Sequence, residues 1–347
     1  MHENPIAEFA QFRATFGGHP LKDLTPEYFD WKFNHCPGGP GYLHLTFDGP
    51  VPTSSAGLST RFARFDGQSV LVAEIGDTYT DPNYRRQGLF SKSVTSCLEF
   101  AHAHGIELVY GTPNEASLAG YVNKLGFATV EPGYEHWILR AGASVEEGLV
   151  ENVPRIAAAA ISKGYGLLVK SRFRLAQMLA PGVRLGPKAC AKSIDTFSVR
   201  RPGFGGPDYF FLRDNSHLTW RFLRSPQELD LRLVLSDGDC IGYVALHAPR
   251  GRTGGVGSIV DLVLQRESRR HATAALTLGT RALLRAGAGH VQLYTWPGST
   301  LSRAAVRLGF SRIAVRPLIV FAGTELGQTL RSRADNLHFA MADCDAL

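Results

Sequence analysis

Asp81-Pro82-Asn83-Tyr84-Arg85-Arg86-Gln87-Gly88-Leu89-Phe90 joins an apolar run to an amphipathic one. It reads as the turn between a strand and the start of a helix. The first N–H groups of a helix have no intrahelical partner, and the helix dipole adds positive potential there. The turn therefore favours an anion such as a pyrophosphate. Gly88 lets backbone approach phosphate oxygens closely, and Arg85 or Arg86 adds charge-assisted hydrogen bonds. The stretch lacks the Gly-Lys-Ser/Thr ending of a Walker loop and is not a GxGxxG turn.

Outward from this turn the pattern is α/β. Val70 to Thr80 reads as a strand. Phe90, Val94, Cys97, Leu98 and Ala101 share one helical face, and Gly105 is placed to end that helix. Ile106 to Tyr110 reads as a short strand, and Ala116 to Lys124 as a helix that stops at Gly126. Strand, helix, strand, helix predicts a mixed sheet with helices packed on it.

The unit recurs. Leu125-Gly126-Phe127 returns as Leu308-Gly309-Phe310, Thr112-Pro113-Asn114 as Trp296-Pro297-Gly298, and Tyr110 as Tyr294. Asp77 pairs with Asp261, Arg85-Arg86 with Arg269-Arg270, and Gly57 with Gly242. Trp31-Lys32-Phe33 with Pro37 returns as Trp220-Arg221-Phe222 with Pro226. The order is kept and the offset hardly drifts, so the chain reads as a tandem duplication of one α/β unit. The predicted organisation is a first unit over 1–145, a helical bridging segment over 146–195 and a second unit over 196–347. Within the bridge, Pro154 to Leu179 reads as an amphipathic helix packed across the two units, with a membrane-surface helix as the alternative, and Arg201 to Pro207 as a loop.

The 347 residues suffice for two cores, with 44% hydrophobic and 20% charged residues. Arg is scattered rather than striped, which argues against nucleic acid. A net charge of +6 suits phosphorylated small ligands. Five dispersed cysteines without a CxxC pair predict neither a disulfide framework nor a metal site. No signal-like start and no long apolar run are present, so the expectation is a cytoplasmic protein without a membrane span.

Arg85-x-x-Gly88, followed by Pro113-Asn114 and Leu125-Gly126-Phe127, resembles the GNAT superfamily of N-acyltransferases over about Val70 to Val130. Phe90 stands where that pattern usually has a small residue. The resemblance implies two tandem domains of mixed α/β sheet and a splay between the central strands that takes acetyl-CoA or another short acyl-CoA. It implies pantetheine along Thr78, Tyr79 and Thr80, and pyrophosphate on Arg85, Arg86, Gln87, Gly88, Leu89 and Phe90. Asn114 belongs to the second motif and is also a candidate for binding the donor.

Catalytic candidates are Asp77 and Glu74 on the strand before the loop, where such bases occur, and Tyr121. The family's acid aligns with Val122, one residue from Tyr121. Strand alternation sends Glu74 and Asp77 to opposite faces unless a bulge intervenes. His35, His44, His217 and His247 read as ordinary hydrogen-bonded residues, His102 and His104 as surface residues, Tyr84 as a packed turn residue, and Trp31 and Trp220 as core.

The second copy has Ala272 where the first has Gly88 and Gly298 where the first has Asn114, so it reads as a degenerate copy that helps form the acceptor pocket. The architecture, with Asp343 and Asp345 near the end, is similar to bacterial sugar N-acyltransferases. The acceptor it implies is a nucleotide-linked amino sugar of surface-polysaccharide synthesis. The alternatives are a small amine, aminoglycoside or protein amine as acceptor, or a non-catalytic acyl-CoA-binding protein. The partners are small molecules, and the chain is a monomer or homodimer.

Overall fold

The computed structural model describes residues 5–15, 24–65, 67–150, 153–196, 210–249, 254–265, 268–332 and 337–344. The loop expected at Arg201 to Pro207 and the residue Asp345 lie outside them. The first unit opens with α1 (Pro5–Thr15) and α2 (Pro26–Asn34). The strands β1 (Tyr42–Asp48), β2 (Val51–Phe65) and β3 (Gln68–Thr80) follow. Then come α3 (Leu89–Ala103), β4 (Leu108–Gly111), α4 (Glu115–Lys124) and β5 (Phe127–Arg140). The bridge holds α5 (Gly142–Leu149), α6 (Arg155–Leu179), β6 (Val183–Lys188) and α7 (Ala191–Thr196). The second unit runs through β7 (Phe210–Phe211), α8 (Asn215–Leu218), β8 (Leu229–Ser236), β9 (Asp239–His247) and β10 (Val256–Leu264). It ends with α9 (Arg269–Arg285), β11 (His290–Thr295), α10 (Thr300–Leu308), β12 (Ser311–Phe321) and α11 (Glu325–Ser332).

All strands join one sheet, in the order β1-β2-β3-β4-β12-β5-β11-β10-β9-β8-β6, with β7 on β2. The two units exchange their last strands. β12 of the second unit lies beside β4, with Ile319 opposite Gly111, and β5 of the first lies beside β11, with Trp137 opposite Leu293. β5 and β12 then pair antiparallel with each other at the centre. The boundary near 145 is thus one of chain order, and neither unit closes its sheet alone.

Trp31 and Trp220 mark the pseudo-twofold relation. Their rings stack at 4.9 Å and 15°, and each indole N–H donates to the other's backbone carbonyl, at 2.8 and 3.0 Å. Both are buried, which gives the repeated Trp segment a core role. Such a stack is worth about 0.5–1.5 kcal/mol beyond its burial.

The bridge departs from its expected form in two ways. It is not wholly helical, because β6 forms an edge strand on β8. Val183 and Gly186 of that strand are buried while Arg184, Pro187 and Lys188 are exposed. Helix α6 packs mainly on α9 and α10 of the second unit and meets the first unit through β5, its buried Val169 and Phe173 sharing one core cluster with Trp137 and Leu139.

Candidate active site

β3 and β4 pair in parallel only from Val72–Leu108 to Glu74–Tyr110. Beyond Glu74 the two strands part, because β4 turns to β12 while β3 stays on β2 out to Thr80. A cleft of about 170 Å3 opens there. Glu74, Asp77, Thr78, Thr112, Asn114 and Tyr121 line it, with Arg13 from α1 and Ile319 from the exchanged β12.

A bulge decides which side chains face it. Ser55 opposes Tyr79 and Gly57 opposes Gly76, so β3 carries one extra residue, and Asp77 has φ +50°. The bulge breaks the alternation and brings Glu74 and Asp77 into the same cleft. Both carboxylates are engaged. Lys32 Nζ donates to Asp77 at 2.5 Å, and Arg13 lies 3.6 Å from its other oxygen. Arg61 donates to Glu74 at 2.8 Å with both side chains buried. Taking a proton at either carboxylate would mean breaking an ion pair inside the protein. Lys32, Arg13 and Arg61 come from elements distant in sequence. The only hint of them there was the basic residue repeated after each Trp.

Tyr121 projects from α4 into the cleft, and its hydroxyl donates to Thr78 Oγ1 at 3.1 Å. The ring is held edge-on by Phe90 at 5.1 Å and Phe127 at 5.0 Å. Burial pushes its phenol well above the ordinary range, so it stays protonated at neutral pH.

The turn after β3 is a short 3-10 segment, Pro82–Tyr84, capped by Asp81. Arg86 at φ +66° and Gly88 at φ +78° adopt left-handed conformations before α3 begins at Leu89. No side chain caps α3, and a Cβ built on Gly88 would meet nothing within 4 Å. Arg85, Arg86 and Gln87 are exposed around this open N-terminus.

Several expected donor contacts serve the fold instead. The Phe90 ring packs on Gly120, which has no Cβ to obstruct it, so the unusual large residue fills core and only its backbone is left for a ligand. Asn114 caps α4, its Oδ1 accepting from Ser117 N at 3.0 Å and Ser117 Oγ at 3.1 Å. Tyr79 packs against Phe12 and beneath the Arg13 guanidinium. Thr80 Oγ1 has no partner among the described residues. Tyr84 bonds Asp48 at 3.1 Å.

None of His35, His44, His217 and His247 lines the cleft. His217 departs from the expected hydrogen-bonded residue, since neither ring nitrogen has a partner among the described residues. Burial, followed by the charge of Arg213, drives its pKa well below the ordinary value. His35 sits exposed beside Asp30, and His102 and His104 are exposed on α3.

In the second unit the loss of the site goes beyond the replacement of Gly88 by Ala272. Arg269 to Ala272 are wound into α9 itself, so the loop equivalent to Arg85–Gly88 does not exist. Ser268 caps that helix by accepting from His271 N at 3.3 Å, and Ala272 is buried. Asp261, the counterpart of Asp77, lies behind a fully buried Arg213, which donates to it at 2.7 Å and lies 2.6 Å from Asp343. Tyr243 also donates to Asp261 at 2.7 Å. The turn Met341–Asp343 packs on β10 and β11.

Residues 9–127 match the model of the Acetyltransferase (GNAT) family. The first unit is a GNAT domain. The whole chain has a tandem GNAT fold. It superposes with TM-score 0.57 on a tandem GNAT protein from the clavulanic acid pathway, at 14% identity over 91% of this chain and 94% of that one. A probable N-acyltransferase from Enterococcus faecalis gives 0.56, at 13% identity over 92% of this chain and 70% of that one. A fungal GCN5-related glucosamine N-acetyltransferase region gives 0.59, at 11% identity over 90% of this chain and 37% of that one. No curated protein is significantly similar in sequence. The match is to a family of acetyltransferases and is confined to residues 9–127, and the parted strands and open helix N-terminus lie within those residues. All five cysteines are free thiols. No helix among the described residues is long and apolar enough to cross a membrane.

Proposed function

We propose that the chain is an acyl-CoA-dependent N-acyltransferase with one working site, in the first GNAT domain, acting on the amine of a nucleotide-linked amino sugar. The observation that carries the reading is an uncapped α3 behind a left-handed Gly88, set beside strands that part. The residues corresponding to that turn, Arg269 to Ala272, are wound into helix in the second unit. The described residues fit the donor. Arg85 to Leu89 would hold its pyrophosphate, with the backbone of Phe90, and the free edge of β3 over Thr78 to Thr80 would hold its pantetheine. Acyl-CoA supplies a thioester carbon open to an amine.

As the N–C bond forms and the C–S bond breaks, Tyr121 is placed to give its proton to the leaving sulfur. Backbone N–H groups on the unpaired edge of β3 are available to the carbonyl oxygen. Asp77 orients the acceptor, and it takes the amine's proton as acceptor binding displaces Lys32 or Arg13 from its carboxylate. Glu74, tied to Arg61, holds the cleft wall.

The charges favour a phosphorylated acceptor over a polyamine. Arg13 lines the cleft beside Asp77 and Glu74, the buried Lys32 and Arg61 neutralise those two carboxylates from behind, and Arg13 Nε has no partner among the described residues. A polycation would meet a net positive cleft.

Free-thiol release tests the reading, with acetyl-CoA and 3-hydroxybutyryl-CoA against nucleotide-linked amino sugars, aminoglycosides and polyamines. Saturable release with an amino sugar supports it. Release only with polyamines overturns the acceptor. Binding of acyl-CoA without release for any amine overturns the enzyme.

A further inference from the structure

Helix α6 presents a second surface that the acyl-transfer site does not use. Its inner line is buried on α9 and α10. Its outer face exposes seven large apolar side chains, from Ile156 (87% exposed) through Leu167 (59%) to Met178 (76%) and Leu179. These are seven of the thirteen large exposed apolar residues among the described ones, gathered on one element. Ile156, Leu167 and Met178 recur every eleven residues, close to three whole turns, so they form a line along the helix. Residues 155–179 contain no Asp or Glu, but five cations, Arg155, Lys163, Lys170, Arg172 and Arg174. Lys163, Lys170 and Arg174 follow at spacings of seven and four, so they form a basic rail beside the apolar line.

The rail borders a cavity of about 570 Å3 between α6, α9 and the end of β5. Arg140, Lys170, Arg174, Arg281 and Arg285 ring it over a floor that includes Val169, Phe173 and Leu284, and no acidic residue among the described ones lines it. None of the five cations makes an ion pair with a described residue. Five unpaired guanidinium and ammonium groups beside bare aliphatics call for an occupant both anionic and apolar.

We infer that α6 lies in the plane of an anionic lipid surface, its apolar line among the acyl chains and the α6–α9 cavity on a lipid phosphate. Basic residues flanking an apolar helical face are the signature of that mode. With five charges the helix is not one that spans. A second copy of the chain suits the face less well, because a twofold contact would set like basic rails together. A nucleic acid would leave the aliphatic line in water.

Co-sedimentation of the full chain with phosphatidylcholine vesicles, with and without phosphatidylglycerol, tests the inference. The chain should pellet with phosphatidylglycerol vesicles, weakly with phosphatidylcholine alone, and less as salt rises. Lys170→Glu with Arg174→Glu should weaken partition about thirtyfold, at roughly a fivefold factor per basic residue before any repulsion. Leu167→Ser with Leu175→Ser should weaken it at unchanged charge. All four positions are exposed, and an unchanged circular dichroism spectrum and melting temperature show that the variants fold. Failure to bind phosphatidylglycerol vesicles, or binding by both double variants as strong as that of the unaltered chain, overturns the inference. So does inorganic phosphate bound in the cavity without vesicle binding, which would mark a soluble ligand. Self-association that the leucine variants abolish, again without vesicle binding, would assign the face to a second copy and overturn it equally.

Discussion

Helix α3 has a left-handed glycine at each end, and this supplies an internally controlled test of the donor site. Gly88 precedes its first residue at φ +78°, and Gly105 follows its last turn at φ +67°. A Cβ at either position would meet nothing within 4 Å. Gly88→Ala and Gly105→Ala should therefore cost the same backbone strain, about 1–2 kcal/mol each, with no clash inside the protein. Both variants should fold, with similar small drops in melting temperature. Only at Gly88 does the new methyl stand before the uncapped N–H groups of α3. There it should displace a phosphate oxygen and lose at least one charge-assisted hydrogen bond, worth about 1.5–3 kcal/mol. That corresponds to a rise in the KM for acyl-CoA of about tenfold to a hundredfold. The kcat should change little, since the reacting atoms lie further along the cleft. Steady-state thiol release with the donor varied, beside thermal melts, measures both quantities. An equal rise in KM for the two variants, or none at Gly88, would show that the α3 N-terminus does not carry the donor.

Tyr121→Phe keeps the ring against Phe90 and Phe127, so stability should change by less than about 1 kcal/mol. It removes the one phenolic proton in the cleft, and kcat should fall about a hundredfold with little change in donor KM; an unchanged kcat removes Tyr121 from the reaction. Trp31→Ala and Trp220→Ala should each cost about 3–5 kcal/mol in urea unfolding. The double variant should cost at least ~1 kcal/mol less than their sum, because the stack is lost once; strict additivity would refute the coupling. His217 has its folded pKa pushed well below the ordinary value, so its stabilisation is complete above about pH 6.5 and is lost as pH falls through lower values. The stability difference between wild type and His217→Phe should shrink by about 1.4 kcal/mol per pH unit below that point, and a pH-independent difference would refute it. A chain ending at residue 195 loses β12 from between β4 and β5, and with it Leu318, Ile319 and Val320 from the core. Each such loss costs several kcal/mol against a total of about 5–15, so this fragment should be insoluble; a soluble fragment with a cooperative melt would show that the strand exchange is dispensable.

The features legible in the sequence were those set by local spacing. The helix from Phe90 to Ala101, its end at Gly105 and the strand to Thr80 all follow from periodicity and turn chemistry. The repeat of Trp31-Lys32-Phe33 as Trp220-Arg221-Phe222 pointed to a shared core role, which the reciprocal indole hydrogen bonds fulfil. What escaped was tertiary choice. Two similar final strands, β5 and β12, carry no local mark that says which sheet edge each joins, so the exchange was hidden. The cleft was half legible. Glu74 and Asp77 were visible as candidates, but the bulge that turns both inward depends on the register against β2. The ion pairs that occupy them depend on Lys32, Arg13 and Arg61, brought in by other elements. Phe90 looked like a deviation within the anion loop until Gly120 appeared beneath its ring.

The exchanged strands also bear on why a duplicated chain should keep two units and one site. Gly88 leaves α3 uncapped, and its pocketed carboxylate, Asp77, still borders an open cleft. At the corresponding place Ser268 caps α9 a turn earlier, and Arg213 seals Asp261 with Asp343. A helix N-terminus satisfied by its own serine has no free donors to offer a phosphate. A buried arginine between two carboxylates is costly to expose. These two changes convert an anion site into packing. The second unit is nonetheless part of the working cleft, because Ile319 on β12 forms its wall and pairs with Gly111 where β4 leaves β3. The second unit thus supplies a wall of the first unit's cleft at the point where β3 and β4 part, so the degenerate copy borders the site through the shared sheet.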